Sequence, residues 1–385
     1  MGARENYIRA SLALSMIPSV GAGRTRRLLE HFTDPMSVFT ADWADLSAVA
    51  SIGAAVARSV REFSAWREVD RVLAMTKRHG LALIIPSDAS YPRRLLHIYD
   101  PPAVIWVKGN PEALDMEYLA VVGTRKPSSY GMETTVGLTR QFVRKVPAGI
   151  VSGLAHGVDT LAHSETLRNK GCTVAVLACG LDRVYPTGNR SLAFEILKSG
   201  GALISEYPPG TKPEAHHFPV RNRIVSGISV GVLVTETGVT GGSMITVGAA
   251  LDQGREVFAV PHGLRNERGE GCNRIIQRGW GKLVCTVDDI IAELPVGVKK
   301  QDTSVENDKD RNNNQNFLPR DFKGQNAEPA VKKILKLLAK REMHIDELFR
   351  STGLASHLLM SSLLKLELEG IVSQKPGKIF AMAGW

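Results

Sequence analysis

Apolar runs and helix-like segments alternate along residues 119–294. Runs of four to seven apolar residues bounded by turn residues are typical of buried strands, and the runs in this region are LAVVG, GIVSG, CTVAVLA, GALISE, VGVLVTE and VFAVP. The intervening segments predict helices at 132–145, 158–169, 189–199 and 243–253. This alternation predicts an α/β fold with a doubly wound, mostly parallel sheet over residues 119–298.

The region before the sheet, residues 1–118, has a different pattern. Two stretches, IPSVGAGRTRRLLEHF and VASIGAAVARSVREF, each run from an apolar residue through a glycine turn into a helix. Helices paired in this way predict a small helical domain for packing or protein contact. A cluster of prolines then disfavours long helices and predicts a boundary near 118: Pro86, Pro92, Pro101, Pro102 and Pro111.

The C-terminal part predicts a linker and a third domain. Residues 299–328 are rich in Asn, Asp, Lys and Gln, with few apolar residues, which indicates a flexible linker. Residues 329–385 read as three helices followed by two short strands, a winged-helix pattern. The third predicted helix, which would be the recognition helix of a DNA reader, carries Lys365 and His357 but also the acidic Glu367 and Glu369. This balance of charge favours an accessory or protein-contact role over DNA recognition.

Composition and charge narrow the class of protein. Of the 385 residues, 43% are apolar, which is enough to form a sizeable core. The net charge of +9 favours a polyanionic partner. The basic excess lies in 119–298 (19 Lys and Arg against 15 Asp and Glu) and in 329–385 (9 against 5). No signal sequence or membrane-length apolar run is visible, and the four cysteines lack CxxC spacing. We therefore expect a cytoplasmic protein with no membrane segment and reduced cysteines.

Candidate chemistry lies in the turns that follow the strands, where ligands bind to such sheets. A dinucleotide fingerprint needs a second glycine where the first turn has Arg125. Forked guanidinium groups and helix-start amides in several turns suit separate phosphates better than one nucleotide. The candidate phosphate-binding residues of these turns are Arg125, Lys126, Arg183, Arg221, Asn222, Arg223, Gly242, Ser243 and Thr246.

Catalytic and metal-binding arrangements are weaker. Ser152, His156 and Asp159 mimic a triad in sequence only, since triads are made by fold geometry and no GxSxG elbow is present. His216 and His217 would point in different directions from an extended chain, and HExxH is absent. We therefore predict no catalytic residue, no metal site and no cofactor. Glu206 and Glu236 each end a strand but have no visible water-activating partner.

Seven sequence blocks follow one another along the chain: YPRRLLHIYDPPAVIWVKG, VVGTRKPSSYG, IVSGLAHGVDTLAH, VAVLACGLDRVYPTGNR, LISEYPPG, FPVRNRIVSGIS and GGSMITVGAALDQGREVFAVP. In this order they resemble the DNA-processing protein A family, also called DprA or Smf. The resemblance implies a SAM-like domain within 1–118, an extended Rossmann-like domain at 119–298 and a winged helix at 329–385. It further implies that Arg125 contacts DNA in a basic pocket to which Arg183, Arg221, Arg223 and Ser243 contribute.

The resemblance also implies a function. Proteins of that family bind and protect single-stranded DNA, load the RecA recombinase onto it during natural transformation, and are not known for catalysis. We therefore expect single-stranded DNA and RecA as partners, together with a homodimer formed through the Rossmann-like domain. Tyr130, Tyr185, Tyr207 and Phe218 lie in or beside the matching blocks, where a base could stack.

Two alternative functions stay open at the level of sequence. A Rossmann-like nucleotide-processing enzyme, similar to the phosphoribohydrolases, would need a catalytic acid in a PGGxGTxxE pattern, and TGGSMITVGAAL lacks that acid. A winged-helix transcription factor is disfavoured by the acidic third helix and by the large domain that it would leave without a role.

Overall fold

The chain divides into two units, Met1–Thr303 and Ser304–Trp385. The structure, a computed structural model, describes residues 2–18, 20–32, 34–295, 329–338, 341–354, 359, 362–363, 365–367, 371–375 and 379–382. The linker predicted at 299–328 lies outside the described residues.

One sheet organises the described part of the first unit. Its strands are β1 (Ala82–Ile84), β2 (Ile105–Gly109), β3 (Tyr118–Val122), β4 (Gly149–Ser152), β5 (Thr173–Val176), β6 (Ala202–Ser205), β7 (Ser229–Val234), β8 (Glu256–Ala259) and β9 (Lys282–Leu283). Their order across the sheet is β1-β2-β6-β5-β4-β3-β7-β8-β9. The strands from β3 to β9 pair in parallel, whereas β1 with β2 and β2 with β6 are antiparallel.

Helices connect and flank these strands. They are α1 (Ala3–Ser15), α2 (Ala22–His31), α3 (Trp43–Ala48), α4 (Ala54–Arg61), α5 (Trp66–Arg78), α6 (Arg93–Leu96), α7 (Ser129–Lys145), α8 (Val158–Arg168), α9 (Arg190–Lys198), α10 (His217–Ile228), α11 (Ser243–Asp252), α12 (Glu270–Gln277) and α13 (Val287–Glu293). Short 3-10 turns cover Pro35–Phe39, Pro111–Asp115 and Thr187–Asn189.

Burial of both faces explains the uninterrupted apolar runs of the central strands. Along β3, Leu119 and Val121 join one core cluster while Ala120 and Val122 join another, because successive side chains of a strand point to opposite faces. Every residue of β3, β4, β5 and β7 is buried. A parallel sheet covered on both sides needs this composition, so the predicted doubly wound α/β fold is confirmed.

The sheet also extends past the boundary that the sequence predicts at 118. All six predicted strands are present as β3 to β8. Two further strands, β1 and β2, precede residue 118 and join the same sheet through the antiparallel β2–β6 pair. The domain boundaries at 118 and 298 therefore stay predictions, and the described sheet crosses the first of them.

The N-terminal region is helical, as predicted, and has two cores. Leu14 of α1, Leu28 of α2 and Val60 of α4 share a cluster of their own. The other face of α1 packs with α5 against the sheet, where Trp106 of β2 donates a hydrogen bond from Nε1 to Thr76 Oγ1 at 2.9 Å. These helices are thus joined to the sheet by a continuous core.

The described part of the second unit has the elements of a winged helix. It contains α14 (Pro329–Leu338), β10 (Met343–His344), α15 (Ile345–Thr352), β11 (Val372–Lys375) and β12 (Ile379–Met382). The strand order is β10-β12-β11, and Ile334, Leu348 and Phe380 share its core. His357 and Glu369 of the predicted third helix lie outside the described residues.

Within the part of the chain that the structure describes, no helix combines the length and apolar character needed to cross a membrane.

Candidate nucleic-acid interface

A cleft of about 730 Å³ lies at the carboxyl ends of β3, β4 and β7. The chain runs from β3 through β4, β5 and β6 on one side and then returns to place β7 on the other side of β3. Such a switch in strand order opens a crevice in which ligands bind. The lining includes Val122, Thr124, Arg125, Gly153, Asp159, Tyr185, Phe218, Arg221, Asn222, Thr237, Gly242, Ser243 and Thr246.

The turn after β3 presents Arg125 to the cleft. The Thr124 N–H donates to the Glu236 carbonyl at 2.7 Å, and the Thr124 carbonyl accepts from the Val158 N–H at 3.2 Å. These two bonds fix the turn between β7 and α8. Arg125 is exposed and lines the cleft, whereas its neighbour Lys126 is exposed but does not.

Gly157 lets the turn after β3 lie against the start of α8. Its φ is +78°, a conformation that glycine adopts at little cost. A Cβ at this position would collide with the carbonyl oxygens of Thr124 and Arg125. The backbone beneath Arg125 is therefore placed by a residue that cannot be replaced without strain.

The turn after β7 leads into α11 at the opposite wall of the cleft. Ser243 is buried and donates from Oγ to Thr237 Oγ1 at 2.6 Å, which holds the turn against the helix. Among the residues that the structure describes, no side chain caps the start of α11, where Gly242 is the N-cap. The partial positive charge of that helix end therefore faces the cleft, together with Thr246 one turn further on.

Helix α10 contributes Arg221, whose guanidinium is almost fully enclosed. Its Nη1 donates to the carbonyl of Gly153 at 2.7 Å and to the carbonyl of Val176. Burial lowers the pKa of this guanidinium, and the nearby Asp159 counteracts part of that shift. Arg221 thus ties α10 to the ends of β4 and β5, and contributes positive charge from below the surface.

Asp159 is the only carboxylate among the residues that line the cleft. It accepts hydrogen bonds from the N–H groups of Gly153 at 3.1 Å and Ala155 at 3.2 Å. Burial raises its pKa, and Arg221 counteracts this effect. The two backbone hydrogen bonds show that the carboxylate of Asp159 orders the turn after β4.

The other two residues of the triad-like sequence lie in different surroundings. Ser152 donates from Oγ to the Val121 carbonyl at 2.7 Å, and His156 is exposed.

A pair of aromatic rings lies in the cleft, and one of them packs beside Arg125. The Phe218 ring lies 5.5 Å from the Arg125 guanidinium and 6.0 Å from that of Arg221, within cation–π range. The ring centroids of Tyr185 and Phe218 are 5.7 Å apart, and both residues line the cleft. The cleft therefore combines positive charge with flat apolar surface.

The structure brings together six of the nine candidate phosphate-binding residues. Those that line the cleft are Arg125, Arg221, Asn222, Gly242, Ser243 and Thr246, whereas Lys126, Arg183 and Arg223 do not. Asn222 accepts from Arg221 Nε at 3.1 Å through Oδ1.

The two predicted arginines outside the cleft are held by carboxylates. Arg223 pairs with Glu206 at 2.6 Å and with Asp100 at 3.1 Å, and its side chain is only 11% exposed. Burial disfavours its charge, but the two carboxylates raise its pKa overall. Arg183 pairs with Asp182 at 2.8 Å. Both guanidinium groups are thus paired with carboxylates outside the cleft lining.

Glu236, one of the two strand-end acids, is bound at the start of α7. Its carboxylate accepts from Ser128 N–H and from Ser128 Oγ, each at 2.7 Å, and it is fully buried. The other, Glu206, holds Arg223. Neither acid lines the cleft.

His216 and His217 are closer together than the sequence suggests. They lie at the start of α10 rather than in an extended segment, and their ring centroids are 4.3 Å apart. With Glu214 they form a group whose ligand atoms lie within 4.8 Å of one another. The expectation that the two rings diverge was wrong, because it assumed an extended chain.

Comparison with known proteins gives a consistent result. The family model described as DNA recombination-mediator protein A matches residues 82–295, and the DprA winged helix domain matches 319–378. Protein Smf of Synechocystis is 32% identical over 95% of this chain and 96% of its own length. DNA processing protein DprA of Bacillus subtilis is 42% identical over 63% of this chain and 80% of its own length.

A solved structure extends this similarity to the fold. The X-ray structure of DNA processing protein A from Streptococcus pneumoniae is 32% identical, with a TM-score of 0.64. The match covers 75% of this chain and 98% of that chain.

Proposed function

Because this chain belongs to the DNA recombination-mediator protein A family, we propose that it binds single-stranded DNA in the cleft and hands it to a recombinase. The observation that carries this proposal is the position of Arg125, which is exposed beside Phe218 in the lining of the cleft. In this role the protein binds and protects single-stranded DNA and loads RecA onto it during recombination and natural transformation.

Phosphate contacts come from three kinds of group. Arg125 offers a forked guanidinium that reaches solvent, α11 offers an uncapped N-terminus at Gly242, and Thr246 offers a hydroxyl. Guanidinium groups and helix N-termini bind phosphate oxygens well. The buried Arg221 contributes positive electrostatic potential rather than a direct contact with phosphate, because its Nη1 already donates to two backbone carbonyls.

The aromatic pair favours a single strand over a duplex. Phe218 and Tyr185 offer ring surface on which a base can stack, and only an unpaired strand can splay a base onto them. Stacking accepts every base, since all four have a flat face. Binding without strong sequence preference follows.

A binding role is favoured over a nucleotide-processing enzyme by the state of the carboxylate in the cleft. Asp159 is buried and accepts two backbone N–H bonds, so it is poorly placed to activate water. A general base must reach the proton that it removes. We therefore propose a protein that is not an enzyme, with no cofactor in this cleft.

The proposed homodimer has a candidate surface at one edge of the sheet. Trp280 and Leu283 are 39% and 42% exposed next to and within β9, respectively. An exposed strand edge with apolar side chains is suited to a protein contact. This surface supports pairing of two copies in the cytoplasm, where we place the protein together with RecA.

The test of DNA binding is fluorescence anisotropy with a labelled oligo-dT and a duplex of the same length. We expect tight binding to the single strand, weaker binding to the duplex, and a loss of more than about tenfold in affinity for Arg125→Ala. Lys126→Ala is the matched control, because Lys126 is also exposed but lies outside the cleft lining. Equal losses in the two variants, or none, would overturn the assignment of the cleft.

Loading is tested separately. RecA ATPase activity on oligo-dT coated with single-strand-binding protein should rise when the wild-type chain is added, and should stay low with Arg125→Ala. Stimulation by the variant at the wild-type level would separate recombinase loading from the cleft.

A further inference from the structure

Three side chains of ligand type meet at the rim of the cleft. Glu214, His216 and His217 lie where the chain enters α10, and one oxygen or nitrogen from each lies within 4.8 Å of the others. Their neighbours Ala215 and Phe218 line the cleft. This group is therefore adjacent to the surface on which we place the DNA.

The spacing of the ligand atoms suits a small metal ion. Glu214 Oε2 and His216 Nδ1 are 3.6 Å apart. In a tetrahedral zinc site with bonds of about 2.0–2.1 Å, two ligand atoms lie about 3.4 Å apart. The ligand atoms that lie up to 4.8 Å apart must come closer to bind one ion. The side chains of Glu214 and His216 can rotate to do so, because they are 57% and 71% exposed.

His217 supplies an independent reason to look for a ligand. The residue is only 9% exposed, and its Nδ1 is buried without a hydrogen-bond partner among the described residues. Its ring lies 4.2 Å from the Tyr207 ring, which fixes its position. A buried polar atom without a partner destabilises the protein, and a metal bound at Nδ1 would satisfy this nitrogen.

The three ligands leave a coordination position open. Two imidazoles and one carboxylate are a ligand set of catalytic zinc sites, which keep the fourth position for an exogenous oxygen. Zinc with a single carboxylate retains a net positive charge, and the N-terminal end of α10 adds more. That environment disfavours a bare cation and favours one that is paired with an anion.

We propose that Glu214, His216 and His217 bind a zinc ion whose open position takes a phosphate oxygen of the bound DNA. The metal site stands by itself, whereas the phosphate ligand rests on the function proposed above. Because coupling between two ligands is reciprocal, zinc tightens DNA binding and DNA tightens zinc binding by the same factor.

The metal site is tested with cobalt(II), whose visible absorption reports tetrahedral coordination. Untagged, chelator-treated full-length chain should bind one cobalt ion, and zinc should displace it. His216→Ala and Glu214→Gln alter exposed side chains and should lower the cobalt affinity by at least about tenfold, the lower bound for loss of an outer-shell partner. His217→Ala should do the same, with circular dichroism as a check on folding.

Two controls test whether other exposed side chains bind the cobalt. His31→Ala removes an exposed histidine of α2, and Cys285→Ser removes the exposed cysteine. Both should keep the wild-type cobalt spectrum. A wild type without the spectrum, or a spectrum unchanged in His216→Ala and Glu214→Gln, would overturn the metal site.

The phosphate ligand is tested by the Kd for oligo-dT with and without added zinc. The wild type should bind more tightly with zinc, and His216→Ala should not respond. A Kd that is insensitive to zinc, in a protein that binds cobalt, would overturn the phosphate ligand. A wild type that does not bind oligo-dT at all would overturn both the proposed function and the phosphate ligand, while the cobalt spectrum would still decide the metal site.

Discussion

The guanidinium of Arg221 donates a hydrogen bond from Nη1 to the backbone carbonyl of Gly153, over 2.7 Å. The same nitrogen donates to the Val176 carbonyl, and Asp159 lies close enough to shift the pKa of Arg221. One side chain thus joins helix α10 to the ends of β4 and β5 beneath the cleft. Arg221 and Arg125 line the same cleft but differ in role. Arg221 links the elements that form the cleft, whereas Arg125 is exposed and is the one that we expect to contact the ligand.

Replacing these two arginines should separate stability from binding. Arg221→Ala removes the buried donor to the Gly153 and Val176 carbonyls, and a buried acceptor that loses its partner costs about 1–3 kcal/mol in the free energy of unfolding. Arg125→Ala alters an exposed side chain and should change that free energy by no more than about 0.5 kcal/mol. Urea denaturation of both variants measures the difference. Equal stability of Arg221→Ala and the wild type would contradict this structural role.

Gly157→Ala should displace the turn that carries Arg125. A Cβ would collide with two backbone carbonyls in a conformation with φ of +78°, so we expect a loss of at least about 2 kcal/mol in stability together with weaker oligo-dT binding. The matched control is Gly200→Ala, whose φ is +83° but whose Cβ would meet no atom within 4 Å. That variant should show only the backbone strain, about 1 kcal/mol, and normal DNA binding. Similar losses in the two variants would rule out the proposed collision.

The pH dependence of stability should carry a contribution from His163. Burial lowers the pKa of this imidazole from 6.5 to about 3. A depressed pKa stabilises the folded state above the unfolded value of 6.5, and this stability is lost as the pH falls towards 3. The loss approaches about 1.4 kcal/mol per pH unit, or about 2 kcal/mol between pH 6.5 and pH 5.

The measurement is the unfolding free energy of the wild type and of His163→Gln at pH 7 and pH 5. Glutamine keeps a polar partner for Thr173, which bonds His163 Nδ1 at 2.7 Å, but does not titrate. The variant should therefore lose less stability than the wild type on acidification. An identical loss in both proteins would exclude His163 as the source.

The central strands could be predicted because each is buried on both faces, so a continuous apolar run is the only pattern that fits. Strands β1 and β2 could not be predicted in the same way. They lie among prolines, are three and five residues long, and pair antiparallel at an edge where only the tertiary fold determines their partner. The boundary placed at 118 follows from those prolines, and the sheet passes across it.

The cleft was predictable in position but not in every side chain. Arg125 and Lys126 are neighbours in sequence, and only the geometry of the turn sends the first to the cleft and the second away from it. Arg221 and Arg223 offered a usable signal, because residues two apart on a helix do not share a face. Arg223 accordingly meets Glu206 and Asp100, two acids remote in sequence that no local pattern connects to it.

Phe218 should contribute to binding through base stacking. Phe218→Ala removes the ring that lies 5.5 Å from Arg125 and should weaken oligo-dT binding by about 1–3 kcal/mol. Oligo-dT and oligo-dA should both be affected, since each base has a stacking face. Phe194, on α9, is 64% exposed but does not line the cleft, so Phe194→Ala is the control and should bind normally. Normal binding by Phe218→Ala would confine the aromatic pair to a packing role.

The salt dependence of binding should count the contact made by Arg125. Each phosphate that is neutralised on a single strand contributes about −0.7 to the slope of log K against log salt concentration. Arg125→Ala should therefore make the slope of oligo-dT binding shallower by about 0.7 between about 50 and 200 mM salt. Arg183→Ala removes an arginine that is held by Asp182 outside the cleft, and its slope should match the wild type. If Arg183→Ala changed the slope as much as Arg125→Ala, the DNA path would have to run across the Asp182 loop as well, and the cleft alone would not describe the interface.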